Sequence, residues 1–467
     1  MNLFRSCLHP ASAPNNAIVF PGKKGETLEN AGEAVETAAK SVPIEPRVAW
    51  LFLDLNSYFA SVEQELQPRL RGRPVAVVPL FADTTCCIAA SYEAKAFGVR
   101  TGTTVGDAKR LCKGIELVEA RHEVYVEYHH KIIEAVETCL PVTAVMSIDE
   151  MACRLIGREQ PLLAALDLAR RIKHRVRERA GSTLRCSVGL APNRYLAKIA
   201  SDMEKPDGLV ALTPDILHTA LSGLTPRDLP GVGARMEKRL HECGIRTMEQ
   251  LLKLEREEMN SVWGGVGGEK LWHWLRGEDF NDPALEHQKS ISQSHVLGPE
   301  LRNAEGAYSV LHKLLHKAGM RLRSARLWTT HLTLEIKYAV PKTSATKMHL
   351  SGIPQDGWSK GASLIECQDN QTLIEGLQKL WAQRPQSTGH EKPFFVGIAL
   401  GNLVPDHLHT LSLFSNLESE SRRARISAAM DSLNHKYGTH TVMAASMLLA
   451  GAAAPTRIAF TSIPDFF

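Results

Sequence analysis

The sequence predicts an α+β protein of several domains, because it contains three stretches of different character. Candidate strands and helices alternate from about residue 47 to 212. Short helical patterns separated by Gly and Pro follow over 213–281, and the remainder returns to a mixed α/β pattern. A chain of 467 residues is long enough for more than one hydrophobic core.

The first predicted strand is the apolar run 47–53, which ends at Asp54. Its continuous hydrophobicity is typical of a strand that is covered on both faces. A helix is predicted to start shortly afterwards, at Ala60–Glu63. Taken alone, Asp54 could be no more than the N-cap of that helix.

A second strand is predicted over Val142–Ile148, and it delivers the adjacent pair Asp149 and Glu150. An acidic pair by itself usually marks a solvated turn. If this strand lies beside the first one, however, three carboxylates converge on one rim of a sheet. Clustered carboxylates repel one another and are usually tolerated when they bind divalent cations. A pair of Mg²⁺ ions held in this way is typical of phosphoryl transfer.

Composition excludes some classes of protein and leaves others open. The net charge is only +4, so a nucleic-acid partner has to be argued from local patches. No apolar run approaches the roughly 18 residues of a membrane span, and the N-terminus lacks the apolar core of a secretory signal. Nine cysteines without a CxxC pair argue against a disulfide framework or a zinc site and indicate a reducing cytoplasm.

Further elements follow from periodicity. Helices are predicted over 123–139 and 161–179. Alternating apolar residues predict a half-buried strand at Leu332–Tyr338. Apolar residues at helical spacing predict a late helix that ends at Gly438; they are Ile426, Met430, Leu433 and Tyr437.

Several ordered blocks resemble the signatures of the Y-family, or translesion, DNA polymerases, of the bacterial polymerase IV and polymerase V type. The segments 54–63 and 147–150 are similar to the two catalytic motifs, and 92–102 is similar to the nucleotide-contacting fingers segment. The segments 187–194 and 196–208 resemble another signature block. Together with a glycine hairpin near 230, these blocks cover residues 47 to about 245, whereas the last third of the chain fits more loosely.

The resemblance implies a right-hand polymerase with a mixed-sheet palm, small fingers, a helical thumb and an α/β little finger. From the N-terminus, the chain then comprises a leader that its composition predicts to be disordered, palm, fingers, palm again, thumb, a linker predicted from its polar composition, and little finger with a C-terminal tail. The corresponding ranges are 1–46, 47–57, 58–122, 123–212, 213–281, 282–294 and 295–467.

The resemblance also implies the catalytic chemistry. Asp54 and Asp149 would bridge two Mg²⁺ ions, Glu150 would complete the site on the side of the primer 3′-hydroxyl, and the Leu55 carbonyl could be a further ligand. Phe59 matches the steric gate that disfavours a ribose 2′-hydroxyl, although its position also suits an ordinary core aromatic. The implied activity is error-prone, DNA-directed DNA synthesis past lesions.

Nucleotide contacts are implied for Tyr58, Phe59, Tyr92, Lys95 and Lys205. If the fingers segment is helical, Tyr92 and Lys95 lie about one turn apart on one face. Cations are needed there because the triphosphate carries more negative charge than the metals neutralise. Lysines on a helix surface are ordinarily solvated, so Lys95 and Lys205 depend on their motif positions. Many members of the family have Arg in place of Lys95, and lysine offers a point charge rather than a bidentate fork.

Two regions suggest contacts with the DNA backbone. Gly231 and Gly233 lie in a helix-hairpin-helix signature, in which backbone amides can donate to a phosphate; a tight helix–helix turn would use the same glycines. Residues 306–331 are basic and contain no Asp or Glu, which favours phosphate contact over the usual solvated face. The cations proposed to contact DNA there are Lys313, Lys317, Arg321 and Arg323.

The segment Thr410–Phe414 resembles the peptide with which bacterial polymerases bind the sliding clamp. Leu411, Leu413 and Phe414 would occupy apolar pockets, but the same alternation suits an edge strand, and both interpretations stay open. The expected partners are primer-template DNA, dNTPs and this clamp, with no membrane. The chain is expected to act in the cytoplasm, as a monomer or with accessory subunits.

Two rival interpretations come from other classes of protein. A catalytically inert member of the family could act as an accessory factor that binds DNA or the clamp, but such relatives lose metal carboxylates. A nucleic-acid-binding scaffold built around the helix-hairpin-helix would leave the paired acidic motifs unexplained. Retention of Asp54, Asp149 and Glu150 therefore favours an enzyme.

Overall fold

The computed structural model describes residues 45–83, 85–280, 289–339, 355–385, 392–410, 417–438, 441–455, 458, 463 and 464. The chain divides into two compact units. Unit 1 comprises residues 1–281 and 457–467, and unit 2 comprises 282–456. The division falls at residue 282, where the sequence predicts a linker to begin. Almost all of the predicted leader 1–46 and the clamp-like residues Leu411, Leu413 and Phe414 lie outside the described residues.

The centre of unit 1 is a five-stranded mixed sheet with the order β5-β6-β1-β7-β8. β1 pairs antiparallel with β6 and with β7, and β7 pairs parallel with β8. The strands are β1 Trp50–Leu55, β5 Ala144–Val145, β6 Glu150–Arg154, β7 Cys186–Ala191 and β8 Leu209–Ala211. All six residues of β1 are buried, as its continuous apolar character predicts.

Side-chain alternation along β1 divides its residues between two cores. Leu51, Leu53 and Leu55 pack in the core that includes α4 (His122–Glu137) and α5 (Leu162–Ala180). Trp50 and Phe52 pack in a second core with α6 (Arg194–Met203). Asp54 follows Phe52 in this alternation and therefore lies on the α6 face of the sheet. The helices predicted over 123–139 and 161–179 are confirmed as α4 and α5, each displaced by one or two residues.

The predicted strand Val142–Ile148 is wrong for most of its length. Only Ala144–Val145 is a strand, and the acidic pair lies where β6 begins rather than where a strand ends. The chain reverses between β5 and β6, and the backbone N–H groups of Met146 and Ser147 both donate to the Glu150 carbonyl. A sequence window cannot distinguish a strand from a hairpin whose residues are equally apolar.

A smaller three-stranded sheet with the order β3-β2-β4 lies between β1 and α4 in sequence. Its strands are β2 Val75–Val78, β3 Ala89–Ala90 and β4 Glu116–Glu119. The helices of this region are α1 Tyr58–Leu66, α2 Tyr92–Lys95 and α3 Val105–Leu111. This region has its own small core, which is built from short side chains such as Ala76, Ala90, Ala94 and Ala108.

The rest of unit 1 is a set of short helices: α7 Leu217–Ser222, α8 Ala234–Glu242, α9 Met248–Leu252, α10 Arg256–Trp263 and α11 Val266–Leu275. A capping box begins α9, in which the Thr247 hydroxyl accepts from the Gln250 N–H. Trp263 and Trp272 are partly buried against the core that these helices share with α6.

Unit 2 is a four-stranded antiparallel sheet with the order β11-β10-β12-β9. Its strands are β9 Ser290–Val296, β10 Leu327–Ala339, β11 Gln355–Cys367 and β12 Lys392–Pro405. Its helices are α12 Ala304–Ser324, α13 Asn370–Ala382 and α14 Leu417–Tyr437. The alternation predicted at Leu332–Tyr338 is confirmed within β10.

Two details of unit 2 differ from the sequence predictions. Residues 290–294 of the predicted linker form most of β9, since the backbone pairing with β12 does not require apolar side chains. The late helix is present as α14, but Ile426, Leu433 and Tyr437 are exposed on it. Its buried residues include Ser427, whose hydroxyl accepts from the Asn370 N–H, so hydrogen bonds rather than the apolar stripe orient this helix.

Among the helices that the structure describes, none has the length and apolar character needed to cross a membrane.

Replacing Gly189 with Ala should destabilise unit 1 strongly. Gly189 lies on β7 where α6 approaches, and an added Cβ would clash with the Ala197 carbonyl and lie 2.8 Å from the Cβ of Ala200. Because the backbone of α6 cannot rotate away as a side chain could, we expect the free energy of unfolding of the full chain, measured by heat or urea, to fall by roughly 3 kcal/mol. The matched control is Gly223→Ala, whose new Cβ would meet only the Ala220 carbonyl, at 3.6 Å. Equal stability of the two variants would contradict the close packing of α6 on β7.

Candidate active site

The antiparallel pairing of β1 and β6 brings the three predicted acids to one end of the sheet. Asp54 is directly opposite Glu150 in the register, so both side chains point to the same face. The Leu55 N–H donates to the Asp149 carbonyl at 2.8 Å, which fixes the residue before Glu150 at the same rim. Asp54 is buried, and Glu150 is partly exposed.

Local hydrogen bonds hold the turn that carries Asp149. The Ser147 hydroxyl donates to Asp149 Oδ1 at 2.6 Å. His129, which is buried on α4, has its Nδ1 2.8 Å from the Ile148 carbonyl. α4 therefore supports the backbone immediately before the acidic pair.

Two lysines from the 196–208 block contact the acids. Lys198 Nζ lies 2.5 Å from Asp54 Oδ2, 2.7 Å from Glu150 Oε1 and 3.2 Å from Asp202 Oδ1. Lys205 Nζ lies 2.7 Å from Asp54 Oδ1 and 2.8 Å from Asp202 Oδ1. Lys205 is a predicted site residue, whereas Lys198 and Asp202 are not. The signal that could have found them is their four-residue spacing on one helix, which places both on one face.

Burial and mutual repulsion perturb this cluster. Burial, with a contribution from the Asp54 charge, raises the pKa of Asp149 above its usual value. Burial also raises the pKa of Glu150, although the Lys198 ammonium opposes the change. The carboxylates of Asp54, Asp202 and Glu150 outweigh the effect of burial on Lys198 and raise the pKa of its ammonium, so this lysine stays charged. Protonation or a cation must offset charge in such a cluster.

The donors at this rim are chemically suited to a hard divalent cation. Asp54, Asp149 and Glu150 offer carboxylate oxygens and Leu55 offers a carbonyl, which are the ligand types that Mg²⁺ prefers. In the described ranges, no three His, Cys, Asp or Glu side chains are arranged to hold a metal ion as they stand. The Lys198 and Lys205 ammonium groups each contact one carboxylate oxygen of Asp54 in this structure.

The predicted pair Tyr92 and Lys95 lies one turn apart on α2, as its spacing indicates. Lys95 Nζ is 4.4 Å from the centre of the Tyr92 ring and donates to the Ser57 hydroxyl at 2.7 Å. Ser57 has a left-handed backbone, with φ 50°, at the turn from β1 into α1. The turn after Asp54 and the α2 segment therefore contact each other directly.

Tyr58 and Phe59 point in different directions from the start of α1. The Tyr58 side chain is buried and its hydroxyl donates to the Tyr125 carbonyl at 2.6 Å, so a nucleotide contact by Tyr58 would have to use its main chain. Phe59 is partly buried and stacks on the Tyr125 ring, with centroids 4.3 Å apart and planes 13° from parallel.

A buried polar network fixes the ring on which Phe59 stacks. The Tyr125 hydroxyl donates to Glu63 Oε1 at 2.8 Å, and Arg121 Nε donates to the same oxygen at 3.1 Å. Glu63 is fully buried, so its charge depends on these partners. Local sequence patterns do not reveal this network, because its members are about 60 residues apart and lie on α1 and at the start of α4.

The glycine hairpin has the backbone geometry that its pattern indicates. Gly231 has φ 88°, and Gly233 precedes the first residue of α8 without a side-chain cap. A Cβ built on either glycine would have no neighbour within 4 Å. Gly231, Gly233 and the first two residues of α8 are exposed, and DNA contact by Gly231 and Gly233 stays a prediction.

The basic face of α12 is largely used within unit 2. Lys313 is buried and donates to the Gly451 carbonyl at 2.8 Å, and Lys317 donates to the Ala454 carbonyl at 2.5 Å. Arg323 forms two hydrogen bonds with the Asp431 carboxylate, at 2.5 and 2.8 Å. Arg321 is partly buried. These acceptors are more than 100 residues away in sequence, so a local charge pattern could not reveal them. DNA contact by the four cations stays a prediction.

Comparison with known proteins agrees with this fold. The impB/mucB/samB family matches residues 53–202, its C-terminal domain matches 288–413, and the thumb domain of DNA polymerase iota matches 227–279. The chain therefore belongs to the Y-family of DNA polymerases, and its enzyme class is DNA-directed DNA polymerase, a nucleotidyltransferase.

Curated relatives are similar over most of their length. A DNA polymerase IV of Moorella thermoacetica is 33% identical over 400 residues, which cover 84% of this chain and 94% of that protein. A DNA polymerase IV of Pelotomaculum thermopropionicum is 31% identical over 412 residues, which cover 85% and 95%.

Solved structures with the same fold include a Y-family polymerase chimera of Dbh and Dpo4, with a TM-score of 0.61 and 23% identity over 76% of this chain and 99% of that one. An insertion ternary complex of Dbh DNA polymerase has a TM-score of 0.52 at 23% identity, with the same coverage. These structures support the right-hand polymerase fold.

The buried His129 should make stability depend on pH. Burial lowers its pKa to about 4, against roughly 6.5 in an unfolded chain. The unfolded state then binds more protons as the pH falls from about 6.5 to 4, so stability that is complete above this window is lost within it. At pH 5 the loss from this residue is about 2 kcal/mol.

The measurement compares chemical unfolding of the intact chain and of His129→Gln at pH 7 and pH 5, because glutamine keeps a neutral donor. The intact chain should lose about 2 kcal/mol more than the variant between the two pH values. Burial also lowers the pKa of His316, but this residue is present in both proteins, so its contribution cancels in the comparison. An identical pH dependence would show that His129 does not titrate in this way.

Proposed function

We propose that this chain is an error-prone DNA polymerase for translesion synthesis in DNA repair, and that the end of β1 and β6 is its nucleotidyl-transfer site. It would extend a primer 3′-hydroxyl with a dNTP on a DNA template and release pyrophosphate. The observation that carries the proposal is the arrangement of Asp54 opposite Glu150, beside Asp149, with cationic side chains at the same rim.

The acids supply the positions for metal ions. Asp54, Asp149 and Glu150, with the Leu55 carbonyl, would hold two Mg²⁺ ions. When bound, these ions lower the pKa of the attacking hydroxyl and neutralise charge on the triphosphate and the leaving pyrophosphate.

The chain's own side chains would bind and orient the triphosphate. Lys205 contacts Asp54, Lys95 contacts Ser57 in the turn that follows it, and Tyr92 lies against Lys95. They can donate to phosphate oxygens without changing backbone structure, because their present partners are side chains. Each point charge is worth more in this partly desolvated site than it would be in water.

Phe59 would be the steric gate, and Tyr125 would support it. A gate discriminates against a 2′-hydroxyl only if its ring cannot move aside. The stacking of Phe59 on Tyr125, and the hydrogen bond from Tyr125 to buried Glu63, limit that movement.

Different parts of the chain are proposed to contact different partners. Primer-template DNA would contact Gly231, Gly233 and the first amides of α8 through its phosphates, with Arg321 and the other cations of α12 as further contacts. A sliding clamp is proposed to bind Leu411, Leu413 and Phe414. The chain is proposed to act in the cytoplasm.

The catalytic assignment is tested by primer extension with Mg²⁺. The double variant Asp149→Ala, Glu150→Ala should lose activity by roughly 10³-fold or more, since single electrostatic groups in active sites are worth on the order of 10²–10³ in rate. The matched control is Asp167→Ala, Glu178→Ala, which removes two exposed acids from α5. If the intact chain shows no metal-dependent incorporation, with or without a clamp, the polymerase assignment fails and the chain is an inert accessory member of the family.

Phe59→Ala should relax the discrimination between dNTPs and rNTPs. Removing the ring takes away the steric contact, and such contacts are typically worth roughly 10-fold or more in specificity. The ratio of kcat/KM values for dNTP and rNTP should fall by at least this factor. Phe81→Ala, which removes an exposed phenylalanine, is the control and should leave the ratio unchanged. An unchanged ratio in Phe59→Ala would remove the gate assignment.

A further inference from the structure

Lys198 has no role in the function proposed above, although it lies at the centre of the acidic cluster. Its ammonium group is within 2.7 Å of carboxylate oxygens from both Asp54 and Glu150, which lie on different strands. The side chain is only 18% exposed. Because Lys198 is partly buried and contacts two carboxylates, its ion pairs are screened by water less than those of a surface lysine.

The surroundings of Lys198 Nζ resemble the ligand shell of a cation. Oxygens of Asp54, Glu150 and Asp202 approach it within 3.2 Å, and the face of the Phe52 ring lies 5.4 Å away. The ammonium therefore occupies space between the same two carboxylates that the proposed mechanism assigns to metal ions. A divalent cation and this ammonium cannot both take these oxygens.

Asp202 is an alternative ion-pair partner for Lys198. It lies four residues further along α6, and its Oδ1 is already 3.2 Å from Lys198 Nζ. A rotation of the lysine side chain would therefore exchange Asp54 and Glu150 for Asp202 without leaving the ammonium unpaired. Asp202 also pairs with Lys205, so its carboxylate can form ion pairs with both lysines.

We propose that Lys198 is an internal counter-cation, which holds Asp54 and Glu150 together in the metal-free enzyme and moves to Asp202 when a divalent cation binds. It is a positioning residue, because it acts through the metal ligands rather than on the substrate. The inference rests on the proposed function only in assigning Asp54 and Glu150 as metal ligands.

An ammonium group that competes with a metal ion lowers the observed affinity for that metal. If the lysine occupies the site most of the time, the observed affinity for a metal is reduced by the fraction of molecules in which the site is open. Removing the ammonium should therefore tighten metal binding, whereas removing Asp202 should weaken it. If Lys198 only stabilised the fold, these two substitutions would not change the metal affinity in opposite directions.

The test is a titration with Mn²⁺ without DNA or nucleotide, in which free Mn²⁺ is followed by electron paramagnetic resonance. Lys198→Met should bind Mn²⁺ about 10-fold more tightly than the intact chain, as expected if the lysine keeps about nine-tenths of the sites closed. Lys198→Arg keeps the charge and should restore the weaker affinity. Lys131→Met, which removes an exposed lysine paired with Glu127, is the matched control and should change nothing.

Asp202→Asn tests the same movement of Lys198 by changing its acceptor instead of the lysine. It removes the alternative acceptor and should weaken Mn²⁺ binding several-fold, while all lysines stay in place. In chelator, Lys198→Met should also unfold at a lower temperature than the intact chain, and Mn²⁺ should restore more of its stability. If Lys198→Met does not fold in chelator, the Asp202→Asn affinity decides the question.

Unchanged or weaker Mn²⁺ binding by folded Lys198→Met, or unchanged binding by Asp202→Asn, would overturn the counter-cation role. These outcomes are distinct from failure of the proposed function, because that function is tested by nucleotide incorporation. An active polymerase whose Lys198→Met variant binds Mn²⁺ no more tightly loses only this inference. An inactive chain whose variants shift as described keeps a metal site that the counter-cation controls.

Discussion

The antiparallel register between β1 and β6 is the constraint on which the rest of the site depends. It places Asp54 directly opposite Glu150 and, through the hydrogen bond from Leu55 to Asp149, fixes all three acids at one end of the sheet. A shift by one residue would turn Asp54 to the opposite face of the sheet. The register is secured because the other residues of β1 are committed to two different cores, one on each face.

Electrostatics then decides what else the site contains. Carboxylates clustered this closely, with Asp54 buried, are unfavourable unless cations offset them. α6 and the loop after it supply two lysines and a further acid. Close packing of α6 on β7, which Gly189 permits, determines how near these lysines come to Asp54. The same contact that builds the core therefore sets the charge balance of the site.

Unit 2 shows that the same charges can serve a structural purpose. The cations of α12 are drawn into contacts with carbonyl groups of residues 451 and 454 and with Asp431 on α14. α14 in turn buries Ser427 and Asn434 and leaves Ile426 and Leu433 exposed. Here hydrogen bonding has outweighed the hydrophobic pattern, since an unpaired buried polar group costs more than an exposed aliphatic side chain.

The sequence by itself determined the α+β class, the buried β1, the helices α4 and α5 within one or two residues, and the family. These depend on local periodicity and on ordered motifs, which a single chain displays directly. Only the tertiary structure decided that most of Val142–Ile148 is not a strand, that Tyr58 is buried while Phe59 stacks on Tyr125, and that Lys198 lies among the acids. Each of these results depends on partners far away in sequence, and local patterns carry no information about which distant group will satisfy a charge, a ring or a hydrogen bond.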